Sequence, residues 1–392
     1  MPYLDHAATT PLRPEALEAM LPHLRDGWAN PSSLHGPGRR ARVAVEHARV
    51  EVAAVLECEP GEVVFTSGGT ESDNAAIRGV LTGKALRATG RPGLVTSSAE
   101  HHAVLDTARA LEAEGHPVTV LEVDGEGRVS PESVLQTVTD ETGLVSLMLV
   151  NNEIGTVHRI RDVATALQGR SSSRAPLVHT DAVQAAGLLP LGVDDLEVDL
   201  LSLSGHKVGG PKGVGALYVR SGTPFSAMQT GGAQERGRRG GTENVAAIVG
   251  FATALRLAEA DRVLEAERLS RLRDELRSRL GAAFGDQIVV NTPSEAAPHI
   301  LNVSFRPGPS GPLDGEMLLT ALDLEGVHAS AGSACTSGAL EPSHVVTALG
   351  LGRETAAATV RLSLGRTTTA ADLEDAVGAL TRVVRRLDPV IA

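Results

Sequence analysis

The chain has 392 residues, of which 42% are hydrophobic and 21% charged, and its formal net charge is −12. This composition is typical of a folded globular protein of about two domains, and the acidic balance argues against a broad nucleic-acid-binding surface. Two cysteines cannot form a disulfide framework, so we expect a reducing, cytoplasmic compartment.

The first half of the chain alternates short apolar runs with helical patterns. It opens on MPYLDHAATTPLRPE, which lacks the basic and apolar regions of a secretory signal. The predicted strands are EVVFTS (62–67), GLVTSS (93–98), VTVLEV (118–123), LVSLMLV (144–150), PLVHTD (176–181), VDLLSLS (198–204) and VGALYV (214–219). Strands separated by helices predict a largely parallel, doubly wound α/β sheet, which binds ligands beyond the carboxyl ends of its strands.

The pattern changes to one long charged helix over about 251–284, with a leucine stripe at 269, 272, 276 and 280. Beyond it, the strands QIVVNT, ILNVSF and TVRLSLG and a closing helix predict a smaller α+β domain. We place the domain boundary inside the long helix. The predicted division is a large domain over 16–259 and a small domain made of 1–15 and 260–392.

Several patterns argue against particular sites. No paired CxxC and no HExxH occur, so the sequence predicts no metal site. The segment GPGRRA (36–41) matches G-x-G-x-x-A, but it follows polar NPSSLH rather than a strand, which disfavours dinucleotide binding. The segment GGPKG is not a phosphate-binding P-loop.

Two strand ends early in the predicted sheet carry groups that bind anions or protons. The strand EVVFTS ends before Gly68, Gly69 and Thr70, which begin a helix, and the free backbone N–H groups there suit a phosphate. The alternative is an ordinary capping box from Thr70 to Asp73, and at this point both stay open. The segment AEHHAV places two histidines at the next strand-to-helix turn, where a histidine is usually inert.

Two later strand ends carry a carboxylate and an amine. Asp181 ends PLVHTD, with Gln184 one helical turn on, and it either caps a helix or holds a protonated ring nitrogen. Lys207 follows VDLLSLS, and a desolvated lysine is the residue type that forms a Schiff base. Each residue alone fits an ordinary structural role. Together, a phosphate cradle, a histidine that can stack, a carboxylate and a lysine are the parts that hold pyridoxal phosphate.

Motifs along nearly the whole chain resemble those of the group I cysteine desulfurases (NifS/IscS-like) of the class V aminotransferase superfamily. The segments that carry the resemblance are YLDHAATTPLRPE, NPSSLHGPGRRAR, VVFTSGGTESDNAAIRG, SAEHHAVLDT, VNNEIGTV, HTDAVQAAG, LSLSGHKVGGPKGVGALYVR, GGAQERGRRGGTENV, SAGSACTSGALEPSHVVTALGL and VRLSLGRTTT. The resemblance implies the fold of type I pyridoxal-phosphate enzymes: a mainly parallel seven-stranded sheet flanked by helices, plus a smaller α+β domain.

The resemblance also implies roles for the matching residues. Lys207 would form the Schiff base with pyridoxal 5'-phosphate and remove the substrate α-proton, and His101 would stack on the ring and transfer protons. The residues implied to hold the cofactor phosphate are Gly69, Thr70, Ser204 and His206. The implied partners of the ring and the substrate are Asp181 at the pyridine N–H, Gln184 at the phenolic oxygen, Asn152 over cofactor and substrate, and Arg361 at the substrate carboxylate.

The basic loop GGAQERGRRGGTENV has two interpretations. Its arginines form a solvated loop or a weak nucleic-acid contact, whereas the family places the threonine, here Thr242, on the cofactor phosphate of the neighbouring subunit. The family pattern therefore implies an obligate homodimer with shared active sites.

Cys335 would determine which reaction occurs. It lies in SAGSACTSG, a run of small residues that suits an accessible thiol, although a buried inert cysteine is an equal alternative from the residues alone. By resemblance, sulfur leaves L-cysteine, which becomes L-alanine, and a persulfide forms on Cys335. An acceptor protein then takes this sulfur for iron–sulfur cluster, thio-cofactor or tRNA assembly.

Some features depart from the family or have no family role. The chain stops at RRLDPVIA, without the tail by which relatives dedicated to iron–sulfur assembly dock their scaffold, so we do not expect that mode of docking. We expect His102, Lys212 and Cys58 to be structural. The rival functions are a selenocysteine lyase, which needs no acceptor thiol, and a non-catalytic sulfur-delivery partner.

Overall fold

A computed structural model of the protein describes residues 1–169, 175–332 and 342–388. Within these residues seven strands form one sheet, in the order β1-β7-β6-β5-β4-β2-β3. The strands are β1 Val63–Thr66, β2 Gly93–Ser97, β3 Val118–Leu121, β4 Thr142–Ser146, β5 Leu177–Asp181, β6 Leu200–Ser204 and β7 Gly215–Val219. Only β7 runs antiparallel to its neighbours, so the predicted mainly parallel seven-stranded sheet is confirmed.

Helices cover both faces of this sheet because alternate strand residues are buried on opposite sides. Leu144 and Leu200 pack with the helices over 69–81 and 102–113, whereas Val145 and Leu201 pack with those over 36–56 and 160–168. The helices of this part are α1 Pro14–Arg25, α2 Gly36–Leu56, α3 Gly69–Leu81, α4 Gly83–Thr89, α5 His102–Ala113, α6 Pro131–Thr137, α7 Ile160–Gln168 and α8 Val193–Leu196.

The long helix α9, Val245–Phe284, contacts two separate hydrophobic cores. Leu255 belongs to the core beside the large sheet, and Leu276 belongs to a second core. Beyond α9, α11 His344–Ala348 packs its Val345 with Ala99 and Ile154, and α12 Arg353–Ala357 follows it. The elements around the second core are α10 Gly315–Leu324 and α13 Ala370–Leu387, with the strands β8 Ile288–Val290, β9 Ile300–Phe305 and β10 Thr359–Ser363. These three strands form an antiparallel sheet in the order β10-β9-β8. The domain division near residue 260 stays a prediction.

Two predicted boundaries were wrong for identifiable reasons. The strand expected over 144–150 ends at Ser146, because the N–H of Met148 donates to the buried Glu100 carboxylate at 2.9 Å instead of to a strand. The long helix begins at Val245 rather than near 251, because the Asn244 side chain caps it by accepting from the N–H of Ala247. The segment GPGRRA is the first turn of α2.

Across the described ranges, no helix has the length and apolar character that a membrane span requires.

Candidate active site

A cleft of about 230 Å³ lies beyond the carboxyl ends of β1, β2, β4, β5 and β6. Parallel strands place their carboxyl ends at one edge of the sheet, so side chains distant in sequence meet there. Ten of the residues predicted from the sequence line this cleft: Gly69, Thr70, His101, Asn152, Asp181, Gln184, Ser204, His206, Lys207 and Arg361. Six further residues line the cleft but were not predicted as site residues: Ala7, Ala8, Asp73, Met148, Val150 and Val183.

One of the predicted site residues that the structure describes is not in this cleft. Thr242 is exposed and is not among the residues that line it. The loop that precedes Thr242 is attached to the start of α3, because Arg239 Nε donates to Glu71 at 2.8 Å. Cys335 lies outside the described residues.

Lys207 ends the short 3₁₀ helix Gly205–Lys207, which follows β6 directly. Its Nζ donates to the carbonyl oxygen of Ala8 at 3.0 Å and also to that of Ala7. The N-terminal segment therefore crosses the site and fixes the lysine amine inside the cleft. Lys212, five residues on, is exposed in a bend, as expected of a turn residue.

The start of α3 forms the anion-binding end of the cleft. The helix begins at Gly69, and its N-cap residue Gly68 has a φ of 152° and offers no side-chain cap, so the capping box from Thr70 to Asp73 is not formed. The first N–H groups of a helix have no intrahelical partner and favour an anion. A Cβ at Gly69 would lie 2.9 Å from Val183 Cγ2, so the close approach of these segments requires glycine.

Asp181 is a buried carboxylate at the end of β5. Its Oδ1 accepts from the N–H of Val183 at 2.8 Å. Burial raises the pKa of Asp181 to about 6, against the opposing effects of that hydrogen bond and of the Lys207 charge. Asp73 is also buried, and its pKa is raised by burial and by the carboxyl of Asp181. A cationic partner inside the cleft would stabilise the charged form of Asp181.

His101 is the N-cap of α5, and its Nδ1 accepts from the N–H of Ala103 at 3.1 Å. Burial, with smaller contributions from the charges of Lys207, His102 and His344, lowers the pKa of His101 to about 4. The ring is therefore neutral near pH 7. Since Nδ1 accepts, the proton of the neutral ring is on Nε2.

Arg361 lies on β10 at the opposite wall of the cleft, and its side chain is buried. Its terminal nitrogens donate to the carbonyl oxygen of Asn152, to the Asp5 carboxylate and to the Ser330 hydroxyl, at 2.8, 2.9 and 2.8 Å. Neither Asp5 nor Ser330 was predicted, because their relation to Arg361 depends on the tertiary fold. A guanidinium fixed in this way can meet a carboxylate ligand.

The chemistry of the cleft fits pyridoxal 5'-phosphate. One end offers the N–H groups at Gly69 and Thr70 to a phosphate, and Asp181 supplies a buried carboxylate for a protonated ring nitrogen. The Lys207 amine lies in the same cleft, where it could bond to an aldehyde carbon. Asp73 Oδ1 is buried and lacks a hydrogen-bond partner in the described part of the chain, which also indicates a polar ligand.

This chain is similar to a family of known proteins and to several solved structures. A family model described as Aminotransferase class-V matches residues 2–375. The chain is 44% identical over 385 residues to the cysteine desulfurase IscS of Dictyoglomus turgidum, covering 98% of this chain and 95% of that protein. A NifS-like protein of known structure has a TM-score of 0.89 at 36% identity, covering 98% of this chain and 100% of that one. The structure of SspA in complex with cysteine has a TM-score of 0.80 at 35% identity, covering 93% of this chain and 99% of that one.

Proposed function

The chain belongs to the class-V aminotransferase family, among its IscS- and NifS-like cysteine desulfurases, and we propose that its cleft transfers sulfur from L-cysteine to Cys335. One observation carries this proposal. Ten residues that the sequence linked to this chemistry line a single cleft, although they come from positions between 69 and 361 of the chain.

Several residues would hold the cofactor and tune it. When bound, pyridoxal 5'-phosphate supplies an electron sink for the pair of electrons released as the substrate loses its α-proton. We assign Asp181 to the ring nitrogen, Gln184 to the phenolic oxygen and Lys207 to the aldehyde carbon. The residues assigned to the phosphate are Gly69, Thr70, Ser204 and His206, with Thr242 from a second subunit of a homodimer.

Proton transfer is assigned to two residues of the cleft. The Lys207 amine, positioned by the carbonyl oxygens of Ala7 and Ala8, takes the α-proton of the substrate. The neutral His101 ring stacks over the cofactor and carries a proton on Nε2 that it can deliver to the product carbon. Arg361 binds the substrate carboxylate, and Asn152 lies beside it.

Sulfur transfer is assigned to the Cys335 thiolate. It attacks the substrate sulfur, so a sulfur–sulfur bond forms as the carbon–sulfur bond breaks. The sulfur is oxidised to the persulfide level while the carbon is reduced and protonated to give L-alanine, so no external oxidant is needed. An acceptor protein, for iron–sulfur cluster or tRNA-thiolation chemistry, then takes the sulfur in a cytoplasmic compartment.

The test compares two lysines five residues apart. Wild type, Lys207→Ala and Lys212→Ala are loaded with pyridoxal 5'-phosphate, supplied with L-cysteine and a reductant, and assayed for alanine. We expect wild type and Lys212→Ala to match, because Lys212 is exposed and outside the cleft. Lys207→Ala should lose on the order of 10²–10⁴-fold in rate or more. A wild type that binds no cofactor and forms no alanine would instead support a non-catalytic sulfur-delivery partner.

A further inference from the structure

Gln184 lies between two groups that determine the orientation of its amide. Its Nε2 donates to the carbonyl oxygen of Ala7 at 2.8 Å, and its Oε1 lies 3.2 Å from Nε2 of His299. A carbonyl oxygen can only accept, so the amide atom that faces Ala7 must be the nitrogen. The amide oxygen therefore faces His299, and His299 must be the donor in this contact.

A neutral His299 can donate to the Gln184 amide oxygen in only one of its two tautomers. The residue is 5% exposed, and burial, with smaller contributions from His6 and Lys207, lowers its pKa to about 3. A neutral imidazole carries one N–H group, and here it must be on Nε2. The other ring nitrogen, Nδ1, is buried and makes no hydrogen bond to any described residue. The single N–H group of the neutral ring therefore donates to Gln184.

We propose that His299 is a positioning residue, which holds the Gln184 amide so that its nitrogen, not its oxygen, faces the cofactor. The inference rests on the proposed function, which assigns Gln184 to the phenolic oxygen of pyridoxal 5'-phosphate. His299 itself is not among the residues that line the cleft. It lines a second cavity, of about 90 Å³, which shares Gln184 and Lys207 with the cleft.

The orientation matters because the two ends of an amide have opposite effects on an anionic oxygen. The amide nitrogen carries two N–H groups, and one of them is used by Ala7. The second can donate to the phenolic oxygen and stabilise its negative charge. Without His299, the buried amide oxygen would lose its donor, which is costly for a buried acceptor. Only the Ala7 carbonyl would then oppose a turn of the amide that points its oxygen toward the phenolic oxygen.

The test measures the protonation and the binding of the cofactor rather than catalytic turnover. Wild type, His299→Leu, His299→Gln and Gln184→Leu are titrated to find the pH midpoint of the visible absorption change of the bound cofactor. The dissociation constant of pyridoxal 5'-phosphate is measured on the same cofactor-free proteins. A donor to the phenolic oxygen stabilises the deprotonated form, so its loss raises the midpoint.

We expect His299→Leu to raise the midpoint by about half a unit to one unit, and to weaken cofactor binding about threefold to tenfold. Gln184→Leu should shift the midpoint in the same direction. His299→Gln should stay near wild type, because its amide nitrogen can replace the imidazole N–H as a donor. His158→Leu is the matched control, since His158 is an equally buried histidine that does not line the cleft, and its midpoint should equal that of wild type.

The possible failures can be told apart. An unchanged midpoint in His299→Leu, beside a shifted one in Gln184→Leu, overturns the positioning role alone. Equal shifts in the leucine and glutamine variants of His299, or an equal shift in His158→Leu, also overturn it, because packing would then account for the effect. If the wild-type protein gives no visible band with the cofactor, the proposed function fails and this inference fails with it.

Discussion

The Asp5 carboxylate lies 2.9 Å from a terminal nitrogen of Arg361, although 356 positions separate them in the chain. The Arg361 side chain is 1% exposed, whereas that of Asp5 is 22% exposed. The N-terminal segment thus supplies the negative charge that a buried guanidinium requires. A substrate carboxylate that enters the cleft would share this guanidinium with Asp5, so Arg361 is already oriented before substrate binds.

The first prediction concerns Arg361→Lys. A lysine keeps the positive charge but not the planar, two-donor geometry, so binding of the substrate carboxylate should weaken. We expect KM for L-cysteine to rise about tenfold to a hundredfold, with a smaller change in kcat, in steady-state alanine assays. Arg382→Lys, an exposed arginine paired with Glu325 on the surface, should leave both constants unchanged. An unchanged KM in Arg361→Lys would remove Arg361 from the substrate site.

The second prediction concerns Asp181→Asn. The amide oxygen can still accept from the Val183 N–H, so the shape is kept while the negative charge is lost. Without that charge the ring nitrogen of the cofactor would not stay protonated, and kcat should fall on the order of 10²–10³-fold. Single-turnover alanine formation measures this. A variant with wild-type kcat would show that Asp181 does not face the ring.

The residues at the strand ends could be predicted because their position depends on local pattern and sheet geometry. Asp181 and Lys207 each follow a buried strand, and the carboxyl ends of parallel strands meet at one edge. Gly69 was ambiguous between a capped helix start and an anion cradle. The absence of a side-chain cap at Gly68 removes the first alternative.

Other parts of the site depend on contacts that no local pattern reports. The carbonyl oxygens of Ala7 and Ala8 reach Lys207 across about 200 positions, and a backbone acceptor leaves no trace in the side-chain sequence. His299 was not singled out, because it precedes an ordinary strand, β9, and acts on Gln184 only through the packing of the two cores. Tertiary contacts of this kind needed the structure.

The third prediction tests whether Thr242 acts across a dimer. Consider a mixed dimer of one Lys207→Ala chain and one Thr242→Ala chain. If Thr242 acts in the partner's site, one site would combine both substitutions and the other would contain neither. By themselves, Lys207→Ala homodimers should be inactive and Thr242→Ala homodimers weakened at limiting cofactor. Mixing the two proteins and letting their subunits exchange should therefore restore alanine formation at limiting cofactor.

The result depends on where Thr242 acts. If it served the site of its own chain, every site in the mixture would keep one substitution, and no activity would return. A mixture of Lys207→Ala with Lys207→Asn is the control for recovery without complementation, since every site in it lacks the lysine and no activity should return.

The fourth prediction concerns pH and His158, which burial keeps neutral with its pKa lowered to about 4. Because the unfolded state binds a proton near pH 6.5 and the folded state does not, this histidine's stabilising contribution is complete above pH 6.5 and is lost as the pH falls toward 4. By pH 5 the loss is about 2 kcal/mol. His158→Leu lacks this titration, so in urea unfolding its stability deficit relative to wild type should shrink by about that amount between pH 7.5 and pH 5. An equal deficit at both pH values would contradict the buried neutral assignment.

In the proposed reaction sulfur passes from L-cysteine to the Cys335 thiol, and the two cysteines of the chain provide a direct comparison. Burial, with smaller contributions from the nearby Glu62 and Glu59, raises the pKa of the Cys58 thiol to about 12, so Cys58 is a poor nucleophile. Alanine and protein-bound sulfur are measured with L-cysteine and a reductant in wild type, Cys335→Ser and Cys58→Ser. We expect wild type and Cys58→Ser to form alanine at the same rate and Cys335→Ser to form almost none. Equal alanine from Cys335→Ser would contradict the account and favour a lyase that needs no acceptor thiol.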